Sequence, residues 1–566
     1  MDAFAESAAT PLESTVPQLF ARNTAQHPDQ PALTAGDRTR TWREADREVR
    51  ALAAGFAALG LRPGQTAVLL MSNRPEQWLV DVALTHLGAV PTAVLPAPSS
   101  EDLRHVTRHS RARAIVLENA QHVRRCAAAL RDPNGPEHVV VLDDNAVTDE
   151  DPRFLSWSSL LARGRRLLAE DPEVVDRHAA AVRPDDPAAV LYCPDSGGQQ
   201  NGVVLTHRNV LSAAAARHEV VGAPPHAATV CYLPMAHISE RAGSLYGALH
   251  DRSHVHFCNG ISEVVEALPK IRPQVFCGVP RVWERLAARL RRRPRPRSDA
   301  ERREALAELG LDALTFAASG GAPISREVLE LFAATGLDVH ETWGLVETAG
   351  SATSNRAGEQ RVGTVGRAVP GMEVRLDEDG EVLVRGPQVC RGHLQDDGLV
   401  RRLTDADGWL RTGDVGELDA AGHLVITGRK SELIVSSTGD SVAPSAVEDA
   451  LRAHPLIGHA LVFGEGRPHL VALLVLDEEA APGWAAERGL EYRDLADLAR
   501  HPVVRGAVDD AVAQANALLG QAGQVRGHRL LERTWGAEGG ELSPALKLRR
   551  RVIHDKYADE LEALYS

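Results

Sequence analysis

The chain has little cysteine, and none of it forms a CxxC pair. Its six cysteines, at positions 126, 193, 231, 258, 277 and 390, are scattered, and no CxxC occurs. That excludes a disulfide scaffold and a CxxC zinc site, and it fits a reducing compartment. Long apolar runs are missing: no stretch of the sequence reaches the roughly 20 residues a bilayer-spanning helix needs. The opening residues, MDAFAESAATPLESTV, hold no basic stretch followed by an apolar one, so no signal peptide is read. Excess positive charge is missing too. Lys and Arg number 63 against 77 Asp and Glu, a net charge of −14. A broad nucleic-acid surface is therefore not expected, although a local site for an anionic nucleotide stays open. There is no internal repeat and no low-complexity tail. The expectation is a cytoplasmic protein with no transmembrane segment and no nucleic-acid partner.

At 566 residues the chain is too long for one core and implies two or more domains. A hydrophobic fraction of 44% and a charged fraction of 25% are ordinary for a soluble globular protein. Helical and strand patterns alternate from the start. Trp42 to Leu59 and Gln77 to Leu87 have helical spacing. Thr66 to Met71, Ala89 to Val94, Arg113 to Leu117 and His138 to Leu142 are short apolar runs. This alternation predicts an α/β fold with a mostly parallel sheet and helices on both faces. Residues 143 to 186 read as mixed loop and helix.

Several stretches carry chemistry. The strand Ala188 to Tyr192 enters the glycine-rich loop Cys193 to Gly202 and leaves through a second strand, Val203 to His207. Such a loop can wrap backbone N–H groups around phosphate oxygens, or it is a plain glycine turn. A helix over Asn209 to Val220 follows. Next come Tyr232 to Arg241 (YLPMAHISER) and Val275 to Glu284 (VFCGVPRVWE). His237 lines a substrate pocket or is simply packed and hydrogen-bonded. The basic run Arg291 to Arg297, broken by prolines, reads as a solvated loop. The strand Leu314 to Ser319 ends in Gly320-Gly321-Ala322-Pro323, small residues that let a flat ring lie against the backbone. After a helix over Arg326 to Thr335, a strand-like approach from Leu337 runs into Thr342-Trp343-Gly344-Leu345-Val346-Glu347-Thr348. There an aromatic can cover a ring, Gly344 allows a tight turn or close approach, and Glu347 can hold a hard cation such as Mg²⁺.

From about Val362 the texture changes to short apolar segments between Asp-Gly-type turns: Glu373 to Leu376, Glu381 to Arg385, Gly416 to Leu418 and Leu424 to Thr427. They predict a small antiparallel β subdomain. Within it, Asp414 in Arg411-Thr412-Gly413-Asp414 can accept from two vicinal hydroxyls, or it is a turn aspartate. Gly428-Arg429-Lys430-Ser431 reads as a linker, giving domains of 1–428 and 429–566. The second is expected to be a small mobile α+β unit. It ends in Ser543-Pro544-Ala545-Leu546-Lys547-Leu548 and a helix over Arg549 to Leu564. Lys547 aims an ammonium into a cleft or lies on the surface.

In this order, the stretches resemble the adenylate-forming superfamily of acyl-CoA synthetases, luciferases and peptide-synthetase adenylation domains. YLPMAHISER and VFCGVPRVWE look most like its long-chain fatty acyl-CoA synthetase branch. The resemblance implies an AMP-forming acid–thiol ligase of fatty acid metabolism that uses ATP, Mg²⁺ and CoA. On that likeness Ser196, Gly198 and Gly202 belong to the phosphate loop. Gly320, Gly321 and Ala322 line the adenine and the acyl channel. Trp343 stacks on adenine with Gly344 beside it, and His237 lies toward the acid substrate. Glu347 holds Mg²⁺, Asp414 and Arg429 contact the ribose, and Lys547 bridges acid and α-phosphate. Ser431 falls at the hinge, and the Ser436 to Pro444 loop approaches the thiol. The partners implied are a small-molecule acid and a thiol or amine acceptor.

The sequence departs from the family at three places. The phosphate loop usually ends in Pro-Lys-Gly, but here Asn201 replaces the lysine and Asp195 adds an acid. Val346 stands where the family has a threonine on the α-phosphate. A short Arg/Pro-rich segment replaces the longer helical insertion between Trp283 and Ser319. Two other functions therefore stay open: an adenylating enzyme with another acceptor, such as an ATP-dependent diazotase using nitrite and an arylamine, and a non-catalytic nucleotide-binding homologue.

Overall fold

The computed structural model of the protein describes residues 13–95, 98–147, 151–194, 200–293, 296, 298–437, 441–536, 539–542 and 548–565. The chain divides into two compact units. The first comprises Met1–Arg375, Leu383–Thr412 and Leu418–Val425; the second comprises Leu376–Val382, Gly413–Glu417 and Ile426–Ser566.

The first unit contains the expected parallel sheet. Its strands lie in the order Val90–Ala93, Thr66–Leu70, Ala114–Leu117, His138–Val141 and Phe154–Ser156, and every pair is parallel. Val68, Leu69, Ile115, Val116, Val139 and Val140 are fully buried. Their side chains alternate between two hydrophobic clusters, one on each face, which is why the strands read as unbroken apolar runs. The covering helix Trp42–Ala58 starts at a capping box: the Thr41 hydroxyl accepts from the Glu44 N–H, and the Glu44 carboxylate accepts from the Thr41 N–H. Helix Trp157–Glu170 packs so closely on it that a Cβ at Gly164 would lie 1.8 Å from the Ala51 carbonyl oxygen. The strand Phe154–Ser156 corrects the reading of that region as loop and helix alone. At three residues it is too short to show a period.

A second sheet runs Val275–Gly278, Phe316–Gly320, Val339–Leu345, Gly350–Ser354 and Arg367–Ala368. The first three strands are parallel and the last two antiparallel. A third, antiparallel sheet has the order Val400–Arg401, Gly392–Leu394, Gln200–Thr206 and Pro187–Pro194. The strand after the glycine-rich loop thus begins at Gln200, and His207 belongs to the next helix, His207–Val221, which Thr206 caps. Burial drives the His207 imidazole down to about 3, so it is neutral, and its Nδ1 accepts from the Val16 N–H.

The second unit is built on Ile457–Phe463, Leu470–Leu476 and Val525–Leu530. All seven residues of the middle strand are buried. Leu470, Ala472, Leu474 and Leu476 face one cluster with helices Pro444–Arg452 and Pro502–Leu518. Val471, Leu473 and Val475 face another with Trp535, Ile553 and Leu561. The period of two across a strand puts one run of apolar residues into two cores. The terminal helix is not continuous: it divides into Arg550–Lys556 and Ala558–Glu562 at Tyr557. No glycine or proline marks that break.

Candidate active site

The sheet around Trp343 is shaped by contacts that admit no side chain. Strand Val339–Leu345 passes through a one-turn 3₁₀ helix, Val346–Thr348, into the antiparallel strand Gly350–Ser354. The Thr348 hydroxyl closes the turn, accepting from the Leu345 N–H at 2.9 Å and donating to the Gly350 carbonyl at 2.7 Å. Gly350 has φ +121°, a left-handed value that glycine adopts freely. The register shifts between Trp343 and Gly344, and a Cβ on Gly344 would sit 1.8 Å from the Gly350 carbonyl oxygen. The bulge leaves Trp343 half-buried opposite Thr353. Gly320 ends the neighbouring strand beside Thr342, where a Cβ would meet the Thr342 methyl at 2.8 Å. Gly321, with φ +83°, and Ala322 are exposed just beyond it. Both stretches lie at carboxyl ends of parallel strands, where open α/β sheets bind ligands.

Glu347 lies on the 3₁₀ turn, half-buried. Its Oε1 is 3.3 Å from Nε2 of His393. The backbone carbonyl of Glu347 accepts from the Cys390 N–H at 2.7 Å. Burial, with the Glu347 charge adding to it, pushes the Cys390 thiol up to about 12, so that cysteine is no nucleophile. Glu341, on the same strand as Trp343, is pushed up to about 7 by burial, although it accepts from the Gly363 N–H at 2.8 Å.

Gly202 and Asn201 lie on the strand leaving the glycine-rich loop. Gly202 pairs with Tyr192, and a Cβ there would come within 3.2 Å of the Tyr192 ring and of Val190. Helix Ser100–His109 ties both arms of the loop together. His105 Nε2 is 3.0 Å from the Gln200 carbonyl, and His109 Nδ1 is 2.8 Å from the Tyr192 hydroxyl. Ser196 and Gly198 lie outside the described residues.

His237 sits half-buried at the N-cap of Ile238–Glu240, and the Pro234 carbonyl accepts from its N–H. The buried Glu240 accepts from the N–H groups of Leu233 at 2.8 Å and Tyr232 at 3.1 Å, which fixes the segment leading to His237. A π-helix, Arg241–Gly247, continues the chain. Arg241 is fully buried and forks onto Asp81, both contacts at 2.7 Å, with the Tyr246 hydroxyl beside it.

In the second unit the structure brings Asp414 and Arg429 together. Arg429 Nε is 2.9 Å from Asp414 Oδ1, the acid buried and the guanidinium half-exposed. Ser431 is exposed on the 3₁₀ turn Lys430–Glu432. Lys547 and part of the Ser436 to Pro444 loop lie outside the described residues.

These features coincide with a shared sequence pattern. The profile of the AMP-binding enzymes matches residues 20–394, and that of the AMP-binding enzyme C-terminal domain matches residues 431–566. The chain belongs to the AMP-binding enzyme family. This AMP-binding enzyme is 31% identical to the long-chain-fatty-acid–CoA ligase FadD15 of Mycobacterium tuberculosis, over 93% of this chain and 92% of that one. It is 24% identical to the long-chain-fatty-acid–CoA ligase ACSBG2 of Xenopus laevis, over 97% and 84%. Among solved structures, the anthranilate CoA ligase AuaEII in complex with anthranoyl-AMP matches its fold with a TM-score of 0.76 at 19% identity, over 96% and 98% of the two chains. A Mycobacterium tuberculosis fatty acyl CoA synthetase matches with a TM-score of 0.66 at 20% identity, over 96% and 99%.

Reading the sequence missed several residues of this AMP-binding enzyme's candidate site. His393 reaches Glu347 only through a strand pairing remote in sequence, which no local pattern announces. Glu240 and Arg241 stand inside the quoted YLPMAHISER motif, where two ionisable groups after an apolar strand were a legible signal. His105 and His109, four apart on a helix, face a partner that only the tertiary structure supplies.

Proposed function

We propose that the chain is an ATP-dependent acid–thiol ligase that turns a fatty-type carboxylic acid into its CoA thioester by way of an acyl-adenylate. The acid's oxygen attacks the α-phosphorus of ATP, the α–β bridge breaks, and pyrophosphate leaves. The CoA sulfur then attacks the acyl carbon of the adenylate, loses its proton and releases AMP. The observation that carries this reading is the Trp343–Glu347 segment: an indole and a carboxylate on one strand-to-turn stretch, in a chain aligned over 93% of its length with a fatty-acid–CoA ligase.

In this reading Trp343 covers the adenine, and Gly320 and Gly321 leave room for the base. Asp414, held by Arg429, accepts from the ribose hydroxyls. Lys547 carries its ammonium to the α-phosphate, where two anions must meet. The donor chemistry at Glu347 fits Mg²⁺, which takes one or two carboxylates and completes its shell with water and substrate phosphates. Oε1 of Glu347 is held by His393, and Oε2 has no hydrogen-bond partner among the described residues. When bound, Mg²⁺ would offset phosphate charge. His237 lies toward the acid, and Ser431 is the hinge between the 1–428 and 429–566 domains.

The test is ATP–pyrophosphate exchange across fatty acids, aryl acids and nitrite, with AMP release measured with and without CoA. Exchange with a fatty acid, AMP release that needs CoA, and a loss of about a hundredfold or more in Lys547→Ala are expected. AMP release with nitrite and an arylamine but without CoA would overturn the acid–thiol assignment. Unchanged exchange in Lys547→Ala would remove that lysine from the chemistry.

A further inference from the structure

The reading above gives His393 no role of its own in binding or chemistry, yet it touches the acid on which that reading depends. Four ties deliver it there. The Cys390 N–H donates to the Glu347 carbonyl at 2.7 Å, and the Arg391 N–H donates to the Val204 carbonyl at 3.0 Å. Gly392 pairs with Val204 and His393 with Val203, on the strand that leaves the glycine-rich loop. From the other side, the Asn209 side-chain amide donates to the carbonyls of Pro387 and Val389, both at 2.8 Å. Asn209 is itself fixed, because it completes the capping box of helix His207–Val221. The segment from Pro387 to His393 is thus fastened to a helix cap, a strand and the Glu347 turn.

The contact is also sheltered. The two side chains are 15% and 23% exposed, so this is no pair of surface groups sampling many positions. Facing a carboxylate, which only accepts, Nε2 must carry the hydrogen. An imidazole can give that hydrogen bond while uncharged. A lysine or arginine could hold the acid only by adding a permanent charge that competes with a metal cation for the same oxygens.

We propose that His393 is a positioning residue for the metal: its Nε2–H fixes Oε1 of Glu347 so that the carboxylate stands ready for the Mg²⁺ that arrives with the ATP phosphates. This rests on the assignment of Glu347 as the Mg²⁺ ligand. Partners that orient a ligating group matter nearly as much as the ligand, and removing one costs about 10- to 100-fold in metal affinity.

The experiment uses the full chain and α,β-methylene-ATP, whose α–β bridge cannot be cleaved, so that binding is read without turnover. Affinity is measured by titration calorimetry across a Mg²⁺ series, and AMP affinity is measured in EDTA. His393→Phe keeps a ring and loses the donor. It is expected to raise the half-saturating Mg²⁺ about tenfold or more with AMP affinity unchanged, while His393→Gln, which restores a donor, stays nearer wild type. A His393→Phe midpoint equal to wild type overturns the proposal. So does a parallel loss of AMP affinity, because that marks general damage to the pocket. Glu347→Gln separates the two levels. If it shifts the midpoint and His393→Phe does not, the positioning role alone fails. If neither shifts it, the Glu347 assignment fails as well.

Discussion

Among single residues, Glu341 carries the clearest pH signature. Its folded value of about 7 lies above the ordinary carboxylate value because burial disfavours the charged form. The sign follows from linkage. Between the unfolded and folded values the native state binds more protons, so stability from this group is fully present below the unfolded value. It is lost as pH rises through 7. Glu341→Gln, neutral at every pH and still able to accept from the Gly363 N–H, is expected to raise the melting temperature at pH 8 relative to wild type and to change it little at pH 4.5. Thermal denaturation of both proteins across that range checks it. Asn201 offers a second test. Lysine there restores a cation to the exit of the glycine-rich loop, and Asn201→Lys is expected to tighten ATP about tenfold, since a hydrogen bond to a charged group contributes roughly 1.5–3 kcal/mol. Unchanged or weaker binding by calorimetry would count against that loop as the phosphate site. Of the candidate site in the first unit, Trp343, Gly344 and Glu347 could be singled out from the sequence by residue type and neighbours. His393 could not, because what places it is its pairing with Val203, and nothing in the letters around 393 encodes a partner near 203.

Among elements, helix Pro75–His86 and the π-helix Arg241–Gly247 are bound through one buried pair. Arg241 forks onto Asp81, and the Trp78 indole N–H donates to the Ser244 carbonyl at 3.0 Å. Asp81→Ala strands a guanidinium without its anion and is expected to cost about 3–5 kcal/mol. Replacing both members with apolar side chains of similar volume should cost less than either single change. Urea denaturation of the single and double variants checks this, and additive losses would overturn it. Helices and strands of the first unit were legible where the apolar period was clear, as at Trp42–Ala58, whose capping box at Thr41 only the structure revealed. The misses have local causes. The strand Phe154–Ser156 is too short for a period, and the break at Tyr557 falls among residues that all tolerate a helix.

At the scale of the whole molecule, each unit closes its own hydrophobic clusters. Calorimetric unfolding is therefore expected to exceed the van't Hoff enthalpy of a single transition, and a ratio of one would show that the chain melts as one body. The α/β class followed from alternating helical and strand patterns. The division of the β-rich stretch did not, because Leu376–Val382 and Gly413–Glu417 cluster with the later unit through contacts that linear order conceals. The meeting of Gly344 with Gly350 has a last consequence. Backbone abuts backbone there, so the turn that carries tryptophan at one end and glutamate at the other has no slack in its length. If Trp343 and Glu347 take the roles proposed above, a ligand engaging both would meet a spacing held by main chain rather than by flexible side chains.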